Sequence, residues 1–188
     1  FYNNKLYVFP SPMKHSEDLG LKFKYNPDSV YDRGKGRNNI KEAEDIVDYA
    51  IKCVEKYNGT KSIGIGTFSS SQRDTIADVL EKKLEENPNL EKFFNEKGEG
   101  EFFIKNLENI QGDERDIILI SMGYGKDRNG KLHMSFGPLN KEGGERRLNV
   151  LITRSREKCV IFSNFKSSDL HTTSTSPIGV KALKTFLY

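Results

Sequence analysis

A chain of 188 residues is long enough for one domain with a substantial core, or for two small ones. With 35% hydrophobic and 30% charged residues it has the composition of a folded globular protein and not of a disordered segment. The net charge of +3, from 30 Lys and Arg against 27 Asp and Glu, is too small to establish a polyanionic partner by itself.

No apolar run approaches the roughly 20 residues that a membrane span requires, so no membrane partner is expected. Phe1 to Lys5 lacks the basic start and apolar stretch of a secretory signal. The chain opens without Met, and Phe1, Tyr2, Leu6, Val8 and Phe9 are residues suited to packing, which suggests a boundary inside a longer protein. Cys53 and Cys159 each sit in an apolar segment with no CxxC and no nearby His. That usage argues against a disulfide framework or zinc site and fits a reducing, cytoplasmic compartment. Charge is unevenly spread. Lys14, Lys22, Lys24, Arg33, Lys35 and Arg37 cluster early, while residues 85–101 are mostly acidic. A solvated loop is the simplest account of both.

Residues 1–37, with prolines 10, 12 and 27 and glycines 20, 34 and 36, read as a lead-in segment and long loop of the same domain that continues through 38–188. Residues 39–57 place Ile40, Ala43, Ile46, Val47, Ala50, Ile51 and Val54 at helical spacing, and Asn58-Gly59 ends that helix. Residues 61–67 predict a short strand, Ser69-Ser70-Ser71 a cap, and residues 71–86 a helix. Phe102-Phe103-Ile104 reads as a strand, and residues 117–122 (IILISM) as a strand buried on both faces. Asn129-Gly130 predicts a hairpin excursion between Tyr124 and Phe136. Residues 144–157 predict a helix, 159–163 a last buried strand, 171–176 a loop and 178–188 a terminal helix. Strands alternating with helices give one three-layer α/β domain with a mainly parallel sheet.

Three segments carry candidate chemistry. In Gly143 to Arg156, a helical wheel puts Leu148, Leu151, Ile152 and Ser155 on a packing face, and Arg147 and Arg154 on one outward stripe two turns apart. Guanidinium groups on a rigid helix suit bidentate contact with phosphate, although an exposed, salt-bridged basic helix accounts equally for the spacing. In Asn106 to Asp116, Gly112 permits a tight turn, while Gln111 and Glu114 offer hydrogen bonds for ribose or a nucleic-acid backbone. Glu108, Asp113, Glu114 and Asp116 raise a metal site, but no His or Cys joins them and Arg115 interrupts, so no metal is expected. Ser69 to Arg73 opens a helix after a strand, where free amides and Arg73 favour an anion; a plain N-cap explains the segment as well.

Together these residues resemble a family. Ile110 to Asp116 resembles helicase motif V, and Arg146 to Arg156 resembles motif VI, in the order and spacing of superfamily 1 helicases of the nonsense-mediated-decay type. Thr67 to Arg73 resembles motif IV, and Asn39 with Glu42-Ala43 the short N-x-x-E-A signature before it. Phe136 to Asn140 before Gly143-Gly144 is similar to an insertion in large bacterial multidomain helicase-like proteins. The resemblance covers about residues 38–165 and departs at Leu151 and Ser155, where alanine is usual.

The resemblance implies a RecA-like second motor domain working with a first RecA-like domain and single-stranded nucleic acid, DNA favoured over RNA. It implies that Arg154 is the arginine finger for the γ-phosphate of ATP and that Arg73 is a second γ-phosphate arginine. It places Glu114, Gln72, Arg147 and Gly112 at the nucleotide, and Gln111, Asn109 and Thr153 in nucleic-acid coupling. No G-x-x-x-x-G-K-[ST] loop occurs, so ATP and Mg2+ are expected to be held mainly by the first motor domain, and this chain alone to be inactive. Arg73, Glu114 and Arg154 are then expected to line one edge beyond the carboxyl ends of the strands. Two other readings compete: an ATP-independent nucleic-acid-binding module on a degenerate RecA-like fold, and a nuclease using the four acids.

Overall fold

The computed structural model describes residues 19–188, so the packing expected of Phe1, Tyr2, Leu6, Val8 and Phe9 lies outside the described residues. Five strands form one sheet: β1 (Gly20–Tyr25), β2 (Ile63–Thr67), β3 (Phe103–Asn106), β4 (Arg115–Ser121) and β5 (Ser155–Ser163). Their spatial order is β1-β5-β4-β2-β3, and every neighbouring pair is parallel. Such a sheet must be covered on both faces. Helices α1 (Ile40–Tyr57) and α2 (Ser70–Glu86) cover one face, and α4 (Gly144–Ile152) with α5 (Ile178–Phe186) the other. The result is a three-layer α/β domain consistent with a RecA-like fold.

Local chemistry explains the elements. Asn39 caps α1 by accepting from the Glu42 amide at 3.1 Å, and Asn58 closes the helix in the left-handed region at φ 47°. Along α1, Ala43, Ile46, Val47, Ala50, Cys53 and Val54 are buried and pack against Ile63, Ile65, Leu119 and Val160 of the sheet. Strand β2 is buried throughout, and its Gly64 leaves room for the Phe103 ring: a Cβ there would lie 2.4 Å from the ring. Ile118, Leu119 and Ile120 make β4 the central apolar strand.

Three sequence expectations need correction. The lead-in loop contains a strand: Leu21, Phe23 and Tyr25 alternate with Lys22 and Lys24, and β1 pairs with β5 as the sheet's edge. The acidic segment contains a 3-10 turn at Pro88–Leu90 and a short helix α3 (Glu91–Asn95), whose Phe94 is buried against Phe102. The helix expected over 144–157 ends at Ile152, and β5 starts at Ser155. The Thr153 hydroxyl donates to the Asn149 carbonyl at 2.9 Å, and Arg154 Nε to the Val150 carbonyl at 2.8 Å. The Arg154 amide turns to the Leu151 carbonyl at 3.3 Å, and the Val150 carbonyl that continued helix would have used is taken by the Arg154 side chain instead. The Arg154 carbonyl then accepts from the Arg115 amide at 3.1 Å, starting the β4–β5 ladder. Asn129-Gly130 does make its turn, closed by an isolated Lys126–Leu132 bridge and not by paired strands.

Candidate functional site

Because all strands are parallel, the sheet has one amino edge and one carboxyl edge. Strand β4 spans seven residues, which separates the two edges by about 20 Å. The candidate residues divide between them.

Gly112, Glu114 and Arg154 sit at the amino edge, where the Arg115–Arg154 backbone bond ties the two turns together. Gly112 has φ 90° and open space around it, so backbone can be approached closely there. Arg154 is half-buried and follows the C-terminus of α4. Its Nε donates to Val150 O, its Nη2 donates to Thr153 Oγ1 at 3.1 Å, and no carboxylate among the described residues pairs with it. A positioned guanidinium without an anionic partner is a candidate anion ligand. Arg156, two residues further on and the second residue of β5, approaches Glu114 at 3.6 Å. A small cleft of about 220 Å³ lies between Gly112, Glu114, Arg115 and Arg156. A larger groove of about 370 Å³ adjoins it, lined by Lys61, Ser62, Glu101 and Asp116 among others. Burial alone would raise the Asp116 carboxyl, but the Ser62 amide at 2.9 Å and hydroxyl at 2.8 Å hold it below its ordinary value.

Arg73 is at the other edge. It lies in the first turn of α2, after the carboxyl end of β2, and pairs with Asp74 at 2.6 Å. The expected single edge holding Arg73, Glu114 and Arg154 is therefore not formed: helix starts follow strand ends, whereas Glu114 and Arg154 precede strand starts. Arg147 is also separated from Arg154. Its Nη1 donates to the Glu142 carbonyl at 2.7 Å, at the opposite end of α4. The expected two-arginine stripe fails because Arg154 is not helical.

Gln72 is unavailable to a nucleotide, being fully buried. Its Oε1 accepts from the Asn39 amide at 2.7 Å, and its Nε2 donates to Asn39 O and Ser121 Oγ, each at 3.1 Å. This clamp joins the start of α1 to the end of β4. Glu42 completes it: Oε1 accepts from Ser121 Oγ at 2.6 Å and from the Gly123 amide at 2.8 Å, while Oε2 is buried without a partner. Burial pushes the Glu42 carboxyl up to about 8. Glu42 was legible as part of a short motif, but nothing in the sequence marked it as buried.

Asn109 and Gln111 lie on the connection from β3 to β4, both exposed. Asn109 donates its amide to Asn106 at the carboxyl edge, and the segment then runs to Gly112 and Glu114 at the amino edge. Thr153 stands beside Arg154, so it touches the amino edge only. The four acids of the metal reading do not converge. Asp113 pairs with Lys105 at 2.7 Å, Asp116 binds Ser62, Glu114 faces Arg156, and Glu108 is exposed on the loop. Among the described residues no three His, Cys, Asp or Glu side chains are placed to hold a metal ion, and no helix is long and apolar enough to cross a membrane.

Comparison with known proteins places residues 10–166 in the family described as AAA domain. The chain is 38% identical over 157 residues to the uncharacterized ATP-dependent helicase MG140 of Mycoplasma genitalium, covering 81% of this chain and 14% of that protein. The homologue of that protein in Mycoplasma pneumoniae is 36% identical over the same shares. A helicase required for RNAi-mediated heterochromatin assembly in Schizosaccharomyces pombe is 27% identical over 126 residues, 67% of this chain and 11% of that protein.

Proposed function

The chain belongs to the AAA domain family, and from that premise we propose that it is the second RecA-like motor domain of a superfamily 1, ATP-dependent nucleic-acid helicase or translocase. The names of its relatives, which are ATP-dependent helicases far longer than this chain, support that reading. The partners are a first RecA-like domain and single-stranded nucleic acid, DNA favoured over RNA. The setting is cytoplasmic, where Cys53 and Cys159 stay free thiols.

The amino edge faces the nucleotide. ATP would supply the scissile phosphoanhydride and Mg2+ would offset its charge, both held mainly by the first motor domain. This chain contributes Arg154, whose guanidinium is aimed by Val150 and Thr153 and reaches the γ-phosphate as an arginine finger. Gly112 and Glu114 lie beside it for the ribose, and Arg156 orients Glu114. The donor set fits an anionic triphosphate: Arg154, without a carboxylate partner among the described residues, is the observation that carries the reading. At the carboxyl edge Ser69, Asn109 and Arg73 face the strand, with Asn106 buried beneath them as the support of Asn109. The β3–β4 connection through Gln111 couples the two edges, since it crosses from Asn106 at one to Glu114 at the other in eight residues with no intervening helix.

The test is Arg154→Ala in the intact helicase. Turnover should fall about 10³- to 10⁵-fold with nucleotide affinity changed only a few-fold, because the finger acts on the transition state. Unchanged turnover overturns the assignment. Gln111→Ala should keep basal hydrolysis and lose its stimulation by single strands. The 188-residue chain alone should not turn over ATP.

A further inference from the structure

We infer that two loops from distant parts of the chain form a single basic ridge that binds the phosphate backbone of nucleic acid, a contact beyond the motif residues above. The inference rests on the helicase reading. The first loop leaves the carboxyl end of β1 and includes Arg33, Lys35 and Arg37; the second leaves the carboxyl end of β4 and includes Arg128 and Lys131. All five side chains are exposed, and none has a carboxylate partner among the described residues.

The loops are locked together. The Tyr31 amide donates to the Lys126 carbonyl at 2.9 Å. Asn164, fully buried past the end of β5, donates its Nδ2 to Ser29 O at 2.7 Å and to Lys126 O at 3.0 Å, and accepts from the Lys126 amide at 2.8 Å. Tyr31 meets Tyr124 edge-on at 5.6 Å. Two of the nearby acids, Asp32 and Asp127, are engaged by loop amides, while Asp28 stays exposed. Asp32 accepts from the Gly34 and Gly36 amides, which hold it below its ordinary value with help from Arg128. Asp127 accepts from the Asn129 and Lys131 amides and meets His133. Lys126 is neutralised by Asp169 at 2.9 Å. The remaining cations therefore present their charge outward from a preorganised frame.

A phosphate backbone fits this surface better than a protein does. A protein interface needs a buried apolar anchor, and the only large apolar side chain exposed on these loops is Val30. Unpaired Arg and Lys on exposed loops match repeated phosphates, where released counterions supply the affinity. The ridge crowns β1, β5 and β4, laterally displaced from Asn106 at the end of β3 and from Asn109 just after it, so it would hold either a continuation of the single strand or an adjoining duplex.

The experiment titrates the 188-residue chain against a labelled single strand and a labelled duplex over a salt series. The variant Arg33→Gln/Lys35→Gln/Arg128→Gln is compared with a charge-matched control, Lys52→Gln/Lys82→Gln/Lys92→Gln. All six positions are exposed. The ridge variant should lower the slope of log affinity against log salt by about two on the single strand or nearer three on the duplex, and the control should not. The probe with the larger loss identifies the source of the phosphates. Equal losses in both triples, an unchanged ridge variant, a wild-type chain that binds neither probe, or displacement by polyglutamate as effective as by oligonucleotide would each overturn the ridge. The helicase reading is judged separately, by strand-stimulated hydrolysis in the intact protein carrying the ridge substitutions. If stimulation stays at wild-type level while the ridge fails, that reading stands without it.

Discussion

Glu42→Gln should make the domain more resistant to alkaline conditions. Glu42 is 1% exposed, and its carboxyl is pushed from an ordinary 4.5 up to about 8 by burial, which the Ser121 hydroxyl and Gly123 amide only partly oppose. A folded-state value above the unfolded one means the folded protein holds a proton that the unfolded chain releases. The stabilisation is therefore fully present below about pH 4.5 and drains away as pH rises toward 8. Some three and a half units at 1.36 kcal/mol each give a loss on the order of 4–5 kcal/mol across that window. Glutamine keeps the acceptor that Ser121 and Gly123 use and does not titrate. It puts an amide where Oε2 has no partner, at a pH-independent cost of about 1–3 kcal/mol. Wild type should be the more stable at pH 5 and the variant at pH 9, with the difference changing by about 4 kcal/mol in favour of glutamine. Urea unfolding followed by far-ultraviolet circular dichroism across that range measures it. Parallel stability curves for the two proteins would refute the reasoning, because they would mean that Glu42 is ionised in the folded state throughout.

Arg73→Ala in the intact helicase should leave saturated hydrolysis within about threefold of wild type; a loss matching that of Arg154→Ala would restore the shared arginine site. Gln72→Ala should destabilise the domain by about 2–4 kcal/mol in urea unfolding, by stranding the Asn39 amide and emptying a buried volume. An unchanged midpoint would deny the clamp its structural weight. Gly179→Ala would place a Cβ 2.3 Å from the Leu139 carbonyl oxygen, against backbone that cannot swing away. It should cost at least about 2 kcal/mol, and a wild-type unfolding curve would show that α4 and α5 can separate freely.

The periodicity of α1 and the apolar runs of β2 and β4 made the layers legible, because burial on one helix face or both strand faces leaves a direct imprint on residue order. Strand β1 was hidden because its outward side chains, Leu21, Phe23 and Tyr25, remain substantially exposed and its neighbours include proline and glycine. The end of α4 was misread because Leu148, Leu151 and Ser155 continue a helical spacing past the point where Thr153 and Arg154 consume the final carbonyls. The division of the candidate site was readable in principle, since a residue just before a strand must sit at its amino end. The rule that ligands gather at carboxyl ends concealed it. Gln72 illustrates a further limit: a polar side chain at a helix start looks available, and only the packing of Asn39 and Ser121 around it makes it interior.

Strand β4 is bonded on both sides from Ile117 to Ser121, with β2 along one flank and β5 along the other. It can neither stretch nor slip, since a shift of one residue would turn Ile118 and Ile120 toward the wrong layer. News of an event at Arg154 therefore cannot cross to Gly123 as a ripple through the sheet. Under the proposed motor-domain reading the plate tilts as one piece, like a rocker on a pivot, so that the travel at the far rim is set by the angle of tilt and the length of the plate, with the connection through Gln111 linking the two rims.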